Sequence, residues 1–262
     1  MSELEREPVS DGRAGVAAIY EAQSVADSYL EKRMRFGWQR LLHRRQVALL
    51  NRAIFESAAA TVLELAPGPA RVSVDVCGVT RGVMVENSEA MIGVARRRLK
   101  ERGLDDAWSV VSGSAFELGT AIGSQRFDLV YTFRFIRHFG EADRGLLYRG
   151  IRECLNERGW LVFDVVNKPV REALDRNRTV APKEELDVFD VSYTAQSFQA
   201  EMSAHGFSVV GLHPVLTRFG LQSWLSYKGD DISPALVDLM VAALERIPGR
   251  MPLEWVAVCQ KT

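Results

Sequence analysis

In the stretch Ala60-Thr61-Val62-Leu63-Glu64-Leu65-Ala66-Pro67-Gly68-Pro69-Ala70-Arg71-Val72, a short apolar run ends in a carboxylate and empties into a loop of small residues. This is the pattern of a buried strand followed by a turn that a ligand approaches closely. Ala66, Gly68 and Ala70 alternate along the loop, and only small side chains let backbone come near a bound molecule. Pro67 and Pro69 carry no N–H, so the loop lacks the full row of donors that a pyrophosphate needs. Gly-x-Gly-x-x-Gly is also absent here, which disfavours a nicotinamide dehydrogenase.

Outward from this loop, Arg81-Gly82-Val83-Met84-Val85-Glu86 reads as a second strand. Glu86 follows Glu64 by about twenty residues, the separation at which α/β nucleotide folds place a carboxylate on ribose hydroxyls. Asn87 and Ser88 suit the cap of a helix striped by Met91, Ala95 and Leu99 and stopped by Gly103. Trp108–Ser112, Phe127–Phe133 and Trp160–Val166 read as further strands, with a helix over Glu141–Glu157 before the last of them. Strands alternating with helices predict an α/β fold, a mainly parallel sheet with helices on both faces. After Asn167, a charged segment to Asp190, a helix over Thr194–His205 and closing strands at Phe207–Val215 and Leu253–Gln260 are expected. Upstream, Val16–Ser57 keeps a helical pattern, and residues 1 to about 15 read as a solvated start. The expected division is an N-terminal helical cap or lid over 1–57 and an α/β domain over 58–262 with a helical insertion at about 217–250.

The 262 residues are 47% hydrophobic and 26% charged, ordinary for a globular protein. A net charge of −1 gives no general pull toward nucleic acid or anionic membrane. Cys77, Cys154 and Cys259 are widely spaced in apolar surroundings and read as reduced core residues of a cytoplasmic protein, with no metal site. No apolar leader and no bilayer-length run is present.

Five pieces in register resemble the class I methyltransferases that use S-adenosylmethionine: Val62–Ala70, Val83–Met91, Gly113–Phe116, Phe127–Thr132 and Leu155–Val162. The resemblance covers Thr61 to Gly206 and continues loosely beyond. It implies a Rossmann-like seven-stranded sheet of order 3-2-1-4-5-7-6 with an antiparallel last strand. It also implies S-adenosylmethionine as cofactor, with Glu64 and the Ala66–Gly68 backbone at its amino-acid end. Glu86 would take the ribose hydroxyls, Asn87 is a further cofactor-binding candidate, and Met91 would pack on adenine. Ser114 and the Ala115 and Phe116 backbone would meet the adenine edge, and Thr132 would lie near the methionine part. The sequence departs from the family's pattern at Ala66 and Ala70, which replace glycines, and at Ser114, which replaces an acid.

The segment Thr132-Phe133-Arg134-Phe135-Ile136-Arg137-His138-Phe139 then supplies the candidate catalytic group. His138 titrates in the range useful to a general base, and an anchor for the loop is the equal alternative. Arg134 and Arg137 either orient an anionic substrate or face solvent. Tyr20, Tyr29 and Arg33 belong to a candidate substrate cover, and Asn167 lies at a strand end where ligands of such folds sit. The leading expectation is methyl transfer to a small organic molecule through an oxygen nucleophile. An RNA- or protein-modifying enzyme using the Arg33–Arg45 face of the basic N-terminal helix, with its group Arg40, His43, Arg44 and Arg45, is a second reading, and a non-catalytic binding module a third.

Overall fold

The computed structural model describes residues 23–176, 190–247 and 251–262. Helices α1 (Gln23–Met34) and α2 (Gly37–Ser57) precede β1 (Thr61–Leu65), β2 (Arg81–Glu86), α3 (Glu89–Glu101), β3 (Trp108–Ser112), α4 (Leu118–Ile122) and β4 (Phe127–Thr132). Then follow α5 (Glu141–Cys154), β5 (Leu155–Asn167), α6 (Lys168–Arg176), β6 (Ser192–Tyr193), α7 (Ala195–Ala204), β7 (Phe207–Val215), α8 (Phe219–Gly229), α9 (Pro234–Arg246) and β8 (Glu254–Lys261).

The strands form one sheet of order β3-β2-β1-β4-β5-β8-β7, with β6 pairing β5 off this path. β8 runs antiparallel to both β5 and β7, and the other pairings are parallel. The order is the expected one once β7 and β8 are counted as sixth and seventh, with two-residue β6 as an eighth strand the sequence pattern did not reveal. Alternate residues of each strand feed two cores, as the period of two requires. Val62, Met84 and Tyr131 face Leu41, Leu50 and Ile54 of α2, whereas Leu63, Val85 and Val130 face Leu147 and Ile151 of α5.

Three local expectations change. The helical pattern of Val16–Ser57 breaks at Phe36, whose backbone is extended (φ −99°, ψ 147°). The cause is long-range. The Gly37 N–H donates to Asp230 at 2.7 Å, and a Cβ at Gly37 would meet Val237 Cγ1 at 2.6 Å. The helix expected to run to Glu157 stops at Cys154, because β5 already begins at Leu155. Cys77 is exposed, unlike buried Cys154 and Cys259; its backbone N–H donates to Asn51 Oδ1 on the surface.

Arg40, His43 and Arg44 of the basic group of α2 are engaged within the chain. Arg40 pairs with Asp230 and Asp238, and Arg44 with Asp238, tying α2 to α8 and α9. His43 is half-buried between Arg71 and Asp75 and is not a surface residue.

Candidate active site

A cavity of about 330 Å³ opens beyond the carboxyl ends of β1, β2, β3 and β4, within the range of small-ligand sites. Ala66 and Gly68 line it from the loop after β1, with backbone in the left-handed region (φ 50° and 57°). Ala70 shares that conformation (φ 54°), so the two alanines that replace glycines hold a geometry L-residues adopt at some cost.

Glu86 ends β2 in the cavity wall. Its carboxylate accepts the N–H groups of Gly68 (2.9 Å), Asn87 (3.0 Å) and Ser88 (3.0 Å). Burial raises its pKa, and those three bonds oppose the rise. Asn87 and Met91 line the cavity beside it, and Ser88 caps α3 by accepting from the Met91 N–H. Ser114, Ala115 and Phe116 close the next side; the Ser114 hydroxyl accepts from the Phe116 N–H at 3.2 Å. Tyr29 of α1, Arg134 and His138 also line the cavity.

Other expected residues stand elsewhere. Glu64 is 3% exposed, shares the α2-facing side of β1 with Val62, and is outside the cavity lining. It accepts hydrogen bonds from the Ser73 and Tyr131 hydroxyls, and burial pushes its pKa up to about 7. Thr132 is fully buried and donates to the Leu65 carbonyl at 2.7 Å, fastening β4 to β1. Asn167 donates from its side chain to the Pro252 carbonyl at 2.7 Å, tying the end of β5 to the start of β8. Arg33 borders a second, smaller recess. Tyr20 lies outside the described residues.

The loop after β4 carries the richest electrostatics. His138 is 4% exposed, and its Nδ1 lies 2.9 Å from Asp190 Oδ1. A carboxylate only accepts, so Nδ1 carries the proton of this pair. Asp190 is held in turn by Arg137 in a bidentate pair (2.9 and 2.8 Å). Arg137 also donates to Asp164 and Glu254, and it is buried, not solvent-facing. Burial alone would raise the Asp190 pKa; Arg137 and His138 overcome it and hold the group well below the ordinary range. Glu254 goes the other way, since burial and nearby Asp164 push it up to about 7 against the pull of Arg137.

Sequence reasoning missed several residues of the wall. Phe116 and Phe139 pack edge-to-face at 5.1 Å, as do Phe135 and Phe139 at 5.0 Å, and Phe133 and Glu117 complete the lining. The aromatic spacing in Phe133-Arg134-Phe135 was the available signal. The partnership with Asp190 left none, since it joins residues 53 apart to the same arginine.

Residues 62–159 match a family described as "Methyltransferase domain". No curated protein matches the sequence. Among solved structures, magnesium protoporphyrin IX methyltransferase from Synechocystis PCC 6803 with bound SAH is similar at a TM-score of 0.65 and 10% identity, over 96% of this chain and 100% of that one. An O-methyltransferase family protein from Burkholderia thailandensis gives 0.64 and 11%, over 97% and 65%. An O-methyltransferase from neocarzinostatin biosynthesis, in complex with S-adenosylmethionine and 2-hydroxy-5-methyl naphthoic acid, gives 0.62 and 12%, over 97% and 63%. The chain therefore spans less than two thirds of the latter two. Residues 62–159 thus match a methyltransferase domain, and the described residues share the fold of structures solved with S-adenosylmethionine or SAH bound.

Proposed function

We propose that the chain methylates an oxygen of a small organic acceptor, with His138 as general base. The observation that carries this reading is the Asp190–His138 pair at 2.9 Å, with the histidine in the wall of the cavity. A base within a positioned pair contributes about 10²–10⁴-fold where a nucleophile must lose a proton. An amine acceptor needs no such group, so the pair favours oxygen.

The residues present fit the cofactor. Small residues and a left-handed loop allow close approach at Ala66 and Gly68, a carboxylate stands at Glu86, and Met91, Ala115 and Phe116 offer an apolar slot for a planar base. Glu64, on the α2-facing side of β1, lies outside this lining. Glu117 lines the cavity near Ser114, so a carboxylate remains available where Ser114 is not acidic. When bound, the cofactor supplies an activated methyl group on a sulfonium. This chain's residues then orient, exclude water and move one proton. Phe133, Phe135 and Phe139 form an apolar wall against which an acceptor lies, and orientation of this kind is worth about 7–11 kcal/mol of a barrier. His138 Nε2 takes the acceptor hydroxyl proton while Asp190 holds Nδ1–H.

Two variants test the assignment. Glu86→Ala weakens S-adenosylmethionine binding more than tenfold by calorimetry; unchanged affinity would sink the ribose role. His138→Gln slows transfer about 10²–10⁴-fold with cofactor affinity retained, and turnover preserved across pH would remove it as base. A screen of metabolite pools with labelled cofactor, read as a gain of one methylene in mass, identifies the acceptor.

A further inference from the structure

Beside the main cavity lies a second, small recess between α2 and the loops after β1 and β4. Arg33, Trp38, Gln46, Arg71 and Arg134 line it, and Arg134 lines the main cavity as well. It has room for about one water-sized group.

Its polar groups are nearly all donors. Gln46 is fully buried, its Oε1 accepts from Arg71 at 2.9 Å, and its Nε2 has no partner. Trp38 is 6% exposed, and its Nε1 is likewise unpartnered. A buried donor left unsatisfied costs about 1–3 kcal/mol, and two on the wall of one recess imply an acceptor between them.

Arg71 adds charge. It is 7% exposed, yet its guanidinium bonds only to neutral groups, Gln46 Oε1 and His43 Nδ1 (3.0 Å). Burial and the neighbouring arginine lower the pKa of His43, so its ring is neutral and its Nε2–H donates to Asp75 at 2.9 Å. The nearby acid, Glu64, lies on the same α2-facing side of β1 and feels Arg71, but its hydrogen bonds go to Ser73 and Tyr131. Among the described residues no carboxylate forms an ion pair with Arg71. A buried guanidinium with neutral partners and unused donors beside it is completed by an anion, and a planar carboxylate matches the guanidinium fork.

We infer that this recess receives a carboxylate oxygen of a ligand in the adjoining cavity, bound by Arg71, Gln46 and Trp38. The inference rests on the proposed cofactor reading and extends it. Two carboxylates have the required chemistry: that of the cofactor's methionine end and that of an acidic acceptor. Arg71 follows directly on the loop Ala66–Ala70, which puts the methionine carboxylate first.

Calorimetry separates these. Wild-type protein is titrated with S-adenosylhomocysteine and with 5′-deoxy-5′-methylthioadenosine, the same nucleoside thioether without the amino acid. Failure of the wild type to bind either one overturns the cofactor reading before the recess is tested. In Arg71→Met and Gln46→Glu, S-adenosylhomocysteine binds at least tenfold more weakly and methylthioadenosine is unchanged if the recess holds the methionine carboxylate. If S-adenosylhomocysteine is unchanged but 2-hydroxybenzoate, added to its complex, loses tenfold in affinity, the recess holds the acceptor's carboxylate. Neither ligand weakening, or methylthioadenosine weakening equally, overturns the inference. Gln46→Glu gives a second readout: its new carboxylate pairs with Arg71 and raises the melting temperature, and a fall counts against a carboxylate site.

Discussion

Arg137 and Arg71 are both buried arginines close to one cavity, yet their surroundings are opposite. Arg137 is surrounded by Asp164, Asp190 and Glu254, three acids to one cation. Arg71 meets a neutral amide and a neutral imidazole. In the first arrangement the arginine's charge is met within the chain, and burial, with nearby Asp164, pushes Glu254 up to about 7. The second leaves a positive charge and two donors waiting. Burial alone therefore does not distinguish a structural arginine from a binding one; the sign and saturation of its partners do.

The largest expected effect separates the two directly. Arg137→Met leaves three buried carboxylates without their cation and destabilises the fold by about 3–5 kcal/mol in urea unfolding. Equal destabilisation by Arg71→Met would erase the contrast. The next effect is in pH. Asp190 has a depressed pKa, so its contribution is present above the ordinary aspartate range and is lost as pH falls through and below that range. Glu64 is raised to about 7, so the unfolded chain ionises first and stability falls as pH rises from 4.5 to 7. The loss amounts to roughly 3 kcal/mol for a group this buried. Glu254 contributes a similar fall, and Glu64→Gln flattens only its own share; an unaltered pH profile would show that Glu64 is not protonated in the fold. The smallest effect is Arg71→Met itself, a loss of about 1–3 kcal/mol, because no ion pair is broken but Gln46 Oε1 and His43 Nδ1 lose their donor.

Much of this was legible before any coordinates. The loop Ala66–Ala70 and Glu86 lie at the strand ends where strand period and spacing put them, and Met91 and the Ser114–Phe116 segment, which only the family resemblance brought to the site, line the same cavity. Thr132 and Asn167 also end strands, but side-chain direction there alternates with every residue, and both point into bonds that close the sheet instead of into the cavity. Glu64 likewise adjoins the loop but hydrogen-bonds Ser73 and Tyr131 outside the cavity lining. The break at Phe36 was not legible because Asp230 and Val237, far along the chain, cause it. The same holds for Asp190 on His138 and for Arg71 on Gln46, which only tertiary packing brings together.

The position of β8 carries a consequence for how the protein is made. Residues 254–261 form an interior strand, and without them β7 has no neighbour in the sheet and Arg137 lacks Glu254. A chain emerging from the ribosome can assemble β1 to β5, but it must hold an open edge at β5 until residue 261 is synthesised. The exposed edge during that interval is Trp160–Val166, an apolar run, so this stage of biosynthesis is where aggregation competes with folding.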